Sequence, residues 1–347
     1  MEKWEQILSN AITKARELPV LLNTDEAAVD KVTTSYPMFI NPYYLGLIQK
    51  KEDAVYRQAI PDIREVTDGK GFEDPLNEEG LSPVPGLTHK YPDRVLFLVS
   101  NRCAMYCRFC NRKRKVGRSI MVTDETIKGG IDYIRSNRKI RDVLLSGGDP
   151  LLLSDQKIHH ILSKVRSIPH VEIIRIGTRV PCTLPQRVTT QLVLILKQFH
   201  PLFINTHFNH PSEITLEASH ACSLLADAGI PIGCQTVLLK GVNDDPKIMK
   251  ELMQKLVRIR VRPYYLFQAD LVKGTSHFWT SLKKGLDIMS RLQGHISGLC
   301  IPRFMIDLPN GGGKIPISPN YIRGIKKDEM MTINYLGETY PYPLLTT

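Results

Sequence analysis

The sequence predicts an α/β protein built on a partial (βα)6 barrel, with a helical extension before it and a short segment after it. From Arg94 onward, short apolar runs alternate with helix-like segments at intervals of about thirty residues. The apolar runs lack strict polar alternation, as expected of strands that are buried on both faces. Such repeats form a parallel sheet with right-handed crossovers, and a barrel of this kind places functional groups at the carboxyl ends of its strands.

The elements follow in chain order. The first ninety residues lack the regular pattern, and we expect short helices there, at residues 2–18 and 24–34. A polar connector punctuated by prolines, residues 74–93, marks the end of this extension. We therefore divide the chain into an extension (1–90), a barrel (91–300) and a C-terminal segment (301–347). The expected strands are 95–99, 143–145, 172–176, 202–206, 232–237 and 262–267, and the expected helices between them are 124–136, 154–165, 188–198, 212–228 and 246–259.

Composition indicates a cytoplasmic protein with no nucleic-acid or membrane partner. The net charge is +11, from 46 basic and 35 acidic residues, and a solvated surface accounts for an excess of this size. The densest basic run, residues 112–115, directly follows a cysteine motif and suits small anionic ligands better than a duplex. The N-terminus lacks the pattern of a secretory signal, and the apolar runs are too short to span a bilayer. Seven unevenly placed cysteines argue against a disulfide framework.

Three cysteines follow the first expected barrel strand. Cys103, Cys107 and Cys110 have the spacing Cys-x3-Cys-x2-Cys. Three thiolates so close together suit zinc or an iron–sulfur cluster, but a structural zinc normally needs four ligands, and no fourth lies nearby in sequence. A four-iron cluster on three cysteines leaves one iron open. This spacing resembles that of the radical S-adenosylmethionine (SAM) superfamily, in which the open iron binds the amino and carboxylate groups of SAM, whose cleavage gives a 5′-deoxyadenosyl radical.

A glycine-rich turn follows the next expected strand, in the run LLSGGDP. At Gly147, Gly148 and Asp149 the backbone can approach a ligand closely, and we expect its amides to meet the methionyl amino group of SAM. A plain turn from strand to helix is the alternative interpretation.

A lysine follows a run of three glycines in DLPNGGGKIP. The glycines allow a tight backbone that aims Lys314 into a cavity, and a desolvated lysine can form a Schiff base with an aldehyde cofactor. A flexible surface loop is an alternative. The run lacks the spacing and trailing Ser or Thr of a nucleotide P-loop.

The two motifs and the chain between them resemble the lysine 2,3-aminomutase family, over roughly residues 74–342. The stretches that carry the resemblance are YPDRVLFLVSNRCAMYCRFCNRKRKVG, LLSGGDPLL, IRIGTRVPCTLPQR, NTHFNHPSEIT, QTVLLKGVND, RPYYLFQADL, GHISGLCIP and DLPNGGGKIP. The resemblance implies a partial TIM-like barrel of the radical SAM type with a [4Fe-4S] cluster, SAM and pyridoxal 5′-phosphate (PLP). It implies an isomerase that interconverts L-lysine and β-lysine, with the amino group migrating on PLP.

The resemblance also implies roles for individual residues. Lys314 is the catalytic lysine that holds PLP, and Arg94 binds its phosphate. The three cysteines bind the cluster, and the SAM pocket is lined by Gly147, Gly148, Asp149, His207 and Gln235. Arg112 binds the substrate carboxylate. Asp270 and Asp307 pair with the side-chain ammonium of lysine, whereas a glutamate-acting enzyme is expected to replace them with neutral or basic groups.

Three departures from the family pattern are visible. Asn310 stands at the first position of the usual four-glycine run, and Phe267 replaces a tyrosine expected near the cofactor. The tail after Tyr335 contains no cysteine, so we expect no C-terminal structural zinc.

Several alternatives stay open. The first is an aminomutase for another amino acid, or the β-lysine-forming enzyme of elongation factor P modification, a branch that lacks the aspartate pair and the intact glycine run. The others are a basic nucleic-acid-modifying protein with a cluster, and an inactive member of the family. The expected partners are a small amino acid, an electron donor such as flavodoxin or ferredoxin, and further copies of the chain. The scattered Cys182, Cys222, Cys234 and Cys300 are expected to be small buried residues, and His159 and His160 to lie on a helix surface.

Overall fold

The computed structural model describes residues 2–117 and 122–344. The strands of this part of the chain are β1 (Leu87–Tyr91), β2 (Arg94–Ser100), β3 (Asp142–Gly147), β4 (Ile173–Gly177), β5 (Leu202–Thr206), β6 (Ile232–Leu238), β7 (Arg262–Gln268), β8 (Arg303–Leu308), β9 (Gly313–Pro316), β10 (Ile322–Ile325), β11 (Glu329–Ile333) and β12 (Thr339–Pro343). The α-helices are α1 (Lys3–Ser9), α2 (Glu26–Thr33), α3 (Pro42–Leu45), α4 (Ala54–Ala59), α5 (Arg64–Thr67), α6 (Asp124–Ser136), α7 (Asp155–Arg166), α8 (Val180–Thr183), α9 (Thr190–Leu196), α10 (Leu216–Asp227), α11 (Pro246–Arg258) and α12 (Leu282–Leu292).

Strands β1 to β9 form one sheet in sequential order, and β10 to β12 form a separate antiparallel meander. The strands from β2 to β8 are parallel to one another, while β1 and β9 are antiparallel strands at the two edges. The fold is therefore a nearly closed, mainly parallel barrel of the radical SAM type, as the sequence predicts. The six expected strands are confirmed as β2 to β7.

The barrel has a seventh parallel strand that the sequence analysis did not predict. Strand β8 pairs with β7 through Tyr265↔Arg303 and Phe267↔Met305, and α12 provides the crossover. The first strands of segment 301–347 thus belong to the barrel sheet. The division of the chain at residues 90 and 300 stays a prediction.

The barrel helices begin where side-chain acceptors stand in the sequence. Thr123, Ser154, Thr215 and Ser281 each accept a hydrogen bond from a backbone N–H in the first turn of α6, α7, α10 and α12. Such caps satisfy donors that would otherwise lack partners. They explain why the predicted helix positions agree with the structure to within a few residues.

Side chains of the barrel strands alternate between two environments. Along β6, buried and half-buried residues alternate strictly, and β3 and β4 show the same alternation over most of their length. The buried set joins the hydrophobic core beneath the helices. The half-buried set, which includes Ser146 and Gln235, faces the inside of the barrel.

The N-terminal extension differs in detail from the prediction. Helix α1 ends at Ser9 rather than continuing to residue 18. Ile12 instead forms a β-bridge with Ile40, so a tertiary contact replaces the next helical turns. In the described ranges, no helix is both long and apolar enough to cross a bilayer.

Candidate functional site

The three motif cysteines lie on the loop that follows β2. Burial raises the pKa of Cys103 well above its usual range, and the neighbouring Cys110, Asp149 and Cys107 raise it further. Burial likewise raises the pKa of Cys110 to about 11, with Cys107 as the next cause. The three sulfurs are therefore close enough to repel one another as thiolates, and such a set fits a cationic centre.

The donor chemistry of the cysteines suits an iron–sulfur cluster. Among the described residues, no group of three or more His, Cys, Asp or Glu side chains is placed to hold one metal ion. A [4Fe-4S] cluster makes a different demand, because each cysteine binds a different iron. The donor set present here, three sulfurs on one loop, fits that group.

The glycine turn at the end of β3 packs directly against the cysteine loop. A Cβ at Gly147 would lie 2.3 Å from the Ser100 carbonyl oxygen, and one at Gly148 would lie 2.3 Å from that of Arg102. The Gly148 N–H donates to the Ser100 oxygen (2.7 Å), and the Asp149 N–H donates to the Arg102 oxygen (2.5 Å). These two N–H groups have partners within the protein, and the expected contact of the turn with SAM stays a prediction. The glycines are required because the two loops touch.

Asp149 links the ends of β3 and β4. Its carboxylate accepts hydrogen bonds from the Thr178 hydroxyl and from the backbone N–H groups of Leu151, Arg179 and Val180. Burial raises the pKa of Asp149 to about 6, against the lowering effect of these bonds. The side chain joins the two loops at the rim of the site.

Arg112 lies in the site but has a partner that the sequence analysis missed. Its Nε and Nη2 donate to the Glu78 carboxylate at 2.7 to 3.1 Å, and Nη1 lies 3.4 Å from the Ser146 hydroxyl. Although burial raises the pKa of Glu78, Arg112 lowers it below the usual range. Glu78 therefore fixes one edge of the guanidinium and leaves the Nη1 edge directed towards the barrel strand.

The other three residues of the basic run 112–115 are also paired with carboxylates of the protein. Lys113 binds Glu65, and Lys115 binds Glu79, each at 2.6 Å. Arg114 lies 3.1 Å from Asp74. The N-terminal extension supplies all of these carboxylates, so the run holds the extension to the cysteine loop.

Lys314 lies opposite Asp307 in the register of β8 and β9. Its Nζ forms an ion pair with the Asp307 carboxylate and sits 5.5 Å from the centre of the Phe267 ring. The Lys314 side chain keeps 34% of its surface exposed, whereas Asp307 keeps only 4%. The glycine run therefore presents an amine at the rim of the barrel, over a buried carboxylate.

Asn310 keeps the loop conformation that its position requires. Its φ is 55° and its ψ is 30°, in the left-handed region, next to Gly311 and Gly313 with φ of 79° and 94°. Asparagine tolerates this region better than other residues with a side chain. The replacement of glycine thus leaves the backbone around Lys314 intact.

Tyr91 connects Lys314 with Arg94 and was not found from the sequence. The Lys314 N–H donates to the Tyr91 hydroxyl (2.9 Å), and the Arg94 guanidinium lies 3.9 Å from the centre of the Tyr91 ring. Arg94 begins β2, so it lies at the end of the strand opposite to the cysteine loop. An amine, a guanidinium and a phenol are gathered here, and this donor set fits the aldehyde and phosphate of PLP.

Asp270 faces the same site from the end of β7. Burial and the nearby Asp307 raise its pKa to about 6, and Lys314 opposes this effect. The Asn111 amide donates to its carboxylate at 3.3 Å. Arg112 lies within electrostatic range of Asp270. The two predicted substrate aspartates therefore influence one another, and the residue before the predicted carboxylate clamp, Asn111, contacts one of them.

His207 directly follows β5 and lies near Gln235, in the middle of β6. The backbone of Gln235 favours the protonated form of the His207 ring, but other effects dominate. Burial lowers the pKa of His207 to about 4, and Arg179 and Arg112 lower it further. His207 is therefore neutral at physiological pH.

The four scattered cysteines and the two adjacent histidines lie where the sequence predicts them, in the core and on a helix surface. Cys182, Cys222, Cys234 and Cys300 are buried free thiols, and His159 and His160 are exposed on α7.

Comparison with known proteins agrees with this architecture. The Radical SAM superfamily model matches residues 97–253, and the model described as Lysine-2,3-aminomutase matches residues 289–344. L-lysine 2,3-aminomutase of Clostridium subterminale is 50% identical over 98% of this chain and 84% of its own length. The enzyme of that name from Methanococcus maripaludis is 52% identical over 96% of this chain and 79% of its own length. Glutamate 2,3-aminomutase of Clostridioides difficile is 44% identical over 97% of this chain and 81% of its own length.

The barrel, its three-cysteine loop and these matches define an enzyme of the radical SAM class, with a [4Fe-4S] cluster and SAM as its cofactors. Within that class the chain belongs to the lysine 2,3-aminomutase family, whose members are PLP-dependent isomerases.

Proposed function

We propose that this protein is an L-lysine 2,3-aminomutase, which interconverts L-lysine and β-lysine. The observation that carries the proposal is the placement of two acidic side chains, Asp270 and Asp307, in one site with the guanidinium of Arg112. A lysine molecule has the complementary charges, a carboxylate at one end and an ammonium at the other. The family relationship supports the same substrate class.

The cofactor ligands are assigned from the site. Cys103, Cys107 and Cys110 hold the cluster, Lys314 holds PLP, and Arg94 binds its phosphate. When bound, the cluster with SAM supplies the radical that removes a hydrogen atom from the substrate, and PLP supplies the aldehyde carbon on which the amino group moves. The protein residues contribute binding, orientation and charge.

Arg112 is assigned to the α-carboxylate of the substrate. Glu78 occupies the Nε–Nη2 edge of its guanidinium, so the Nη1 edge is the one that receives the substrate. A planar guanidinium fixed on one edge donates from the other in a defined direction.

The SAM pocket is assigned to the residues between the cysteine loop and β6. Gly147 and Gly148 let the loops approach closely, and the carboxylate of Asp149 holds those loops together. His207 and Gln235 form the opposite wall, and a neutral imidazole there offers one donor and one acceptor.

Asp270 and Asp307 are assigned to the side-chain ammonium of lysine. Two carboxylates would repel the side chain of glutamate, so the pair argues against the activity named for the Clostridioides difficile relative. The pair also argues against the β-lysine-forming enzyme of elongation factor P modification, because that branch of the family lacks the aspartate pair.

The remaining partners are proposed on the same basis. The cluster requires an external one-electron donor such as a flavodoxin or ferredoxin. All seven cysteines are free thiols, which supports a reducing, cytoplasmic location. The protein is expected to work as a homo-oligomer.

The test is anaerobic reconstitution with iron and sulfide, followed by PLP, SAM and a reductant. L-lysine and L-glutamate are supplied in separate reactions, and products are separated after derivatisation. We expect β-lysine from L-lysine and no product from L-glutamate. Product from glutamate alone would refute the substrate assignment, and 5′-deoxyadenosine without any β-amino acid would show that both substrates are wrong.

The matched variants are Lys314→Ala and Lys283→Ala. The first removes the amine proposed to hold PLP and should abolish β-lysine formation. The second alters an exposed lysine on α12, which pairs with Asp287, and should leave turnover unchanged.

A further inference from the structure

A buried arginine outside the assigned site lies against one of the cluster cysteines. Arg179 follows β4 and keeps only 9% of its side chain exposed. Its Nη1 donates to the Sγ of Cys107 at 2.9 Å. Neither the motifs nor the resemblance assigns a role to Arg179.

The arginine is held from the other side by buried acceptors. Its Nη2 donates to the Glu213 carboxylate (2.8 Å) and to the Gln58 side-chain oxygen (2.6 Å). Glu213 is fully buried and also accepts from the Tyr44 hydroxyl and the Asn209 N–H, each at 2.6 Å. The guanidinium therefore has a fixed position, with one nitrogen directed at the sulfur and the other at the carboxylate.

The aromatic surroundings favour the same placement. The Arg179 guanidinium lies 5.1 Å from the centre of the Phe109 ring, and Phe109 is next to Cys110 in the cysteine motif. Aromatic faces attract a cation at this distance. The cysteine loop thus contacts Arg179 through both a sulfur and a ring.

We propose that Arg179 is a positioning residue for the cluster, which donates a hydrogen bond to the Cys107 sulfur and raises the reduction potential of the cluster. The inference rests on the assignment of Cys103, Cys107 and Cys110 as cluster ligands. A cluster that gains one electron gains one negative charge, and a cationic donor at 2.9 Å stabilises that state more than the oxidised one. Hydrogen bonds to ligating sulfurs are an established means of setting such potentials.

Glu213 has the opposite effect in this arrangement. Its negative charge partly offsets that of Arg179, but it binds Nη2 and lies on the side of the guanidinium away from the sulfur. The nearer positive charge therefore dominates at the cluster. Removing the two charges separately should move the potential in opposite directions.

The experiment is a reductive titration of the reconstituted protein with titanium(III) citrate, followed by electron paramagnetic resonance, without any amino acid. Arg179→Gln should lower the potential, with at least a tenfold loss in the reduction equilibrium constant, which is 59 mV for one electron. Arg179→Lys, which keeps the positive charge but not the planar guanidinium, should lower the reduction potential by a smaller amount. Glu213→Gln should raise the potential.

A merely structural role for Arg179 predicts a different result. If Arg179 and Glu213 only keep the loop in place, both Arg179→Gln and Glu213→Gln would lower the iron content. The two variants would then shift the reduction potential in the same direction or leave it unchanged, and either result would overturn the inference. The titration needs no substrate, so an incorrect substrate assignment leaves it unaffected. A wild-type protein that binds no cluster would overturn the cysteine assignment and this inference with it.

Discussion

Asp270 carries a charge that changes near neutral pH. Burial and the neighbouring Asp307 raise its pKa to about 6. The carboxylate is ionised above that pH and protonated below it, and only the ionised form attracts the ammonium of lysine. We therefore expect the KM for lysine to be lowest above about pH 7 and to rise as the pH falls through 6.

The measurement is the KM for lysine from about pH 8 to about pH 5. Asp270→Asn should raise KM roughly ten- to hundredfold at pH 8, since a hydrogen bond to a charged group contributes about 1.5–3 kcal/mol. The same variant should lose the pH dependence between 7 and 5. A wild-type KM that stays constant over this range would contradict the role of Asp270.

Arg112 and Arg114 provide a matched pair for the carboxylate assignment. Arg112→Lys leaves a single point charge, which cannot bind Glu78 on one edge and the substrate on the other, so KM should rise roughly tenfold or more. Arg114 pairs with Asp74 and Glu79 and lies 3.7 Å from Glu78. Because these pairs do not depend on a planar guanidinium, Arg114→Lys should change the KM for lysine less than twofold. Equal effects of the two substitutions would refute the assignment.

Single side chains were predictable only where a motif identifies them. The cysteines, Lys314 and the aspartate pair stand in recognisable runs. Glu78 and Tyr91 do not, because their partners Arg112 and Lys314 lie 34 and 223 positions away in the sequence. No local spacing relates such pairs, and only the folded barrel brings them together.

Helix α6 contains two adjacent glycines with opposite surroundings. A Cβ at Gly130 would lie 2.3 Å from the Phe97 ring, whereas one at Gly129 would meet nothing within 4 Å. Gly130→Ala should therefore destabilise the protein by about 1–3 kcal/mol through overpacking. Gly129→Ala should stabilise it by up to about 1 kcal/mol, because alanine favours helix.

Denaturant unfolding of the two variants measures this difference. The order Gly129→Ala, wild type, Gly130→Ala in stability is the expected result. A Gly130→Ala protein as stable as Gly129→Ala would show that Phe97 moves aside without cost and that the contact between α6 and β2 is loose.

Secondary structure was predictable where buried strands and capped helices follow each other regularly, as they do from β2 to α11. It was not predictable at β8, since its short run precedes the glycine segment and resembles a loop boundary. Likewise, the periodicity of the first residues extends past Ser9, but the bridge between Ile12 and Ile40 ends the helix there. Tertiary contacts overrode local preference in this case.

The N-terminal extension and the barrel are joined by a buried ionic cluster. Glu65 on α5 accepts from the Arg108 Nε at 2.9 Å and from the Lys113 Nζ at 2.6 Å, and these three side chains are at most 5% exposed. Glu65→Ala removes the carboxylate that pairs with both buried cations, Arg108 and Lys113. The expected loss of stability is about 3–5 kcal/mol.

Glu52→Ala is the control for this substitution. Glu52 is 64% exposed and pairs with Arg57 at the surface, so its removal should cost less than about 1 kcal/mol. Both variants are compared with wild type by guanidinium unfolding. If the two changes cost the same, the ionic cluster around Glu65 does not stabilise the contact between the extension and the barrel.

The first ninety residues lack the regular strand–helix pattern of the barrel, which predicts a separate unit. The ionic cluster is a contact between this extension and the cysteine loop that no local pattern indicates. The basic residues beside the cysteines could be read as a ligand-binding patch, since their acidic partners lie more than thirty positions upstream. Charge complementarity between distant segments appears only after folding.

The hydrogen bond from the Lys314 N–H to the Tyr91 hydroxyl joins the first and last strands of the barrel sheet. A cofactor held by Lys314 and Arg94 would bridge the contact between these edge strands. The two residues lie 220 positions apart in the sequence. By linkage, such a ligand adds to folding stability in proportion to the logarithm of its concentration. Cofactor supply would then affect the stability of the folded protein as well as its turnover.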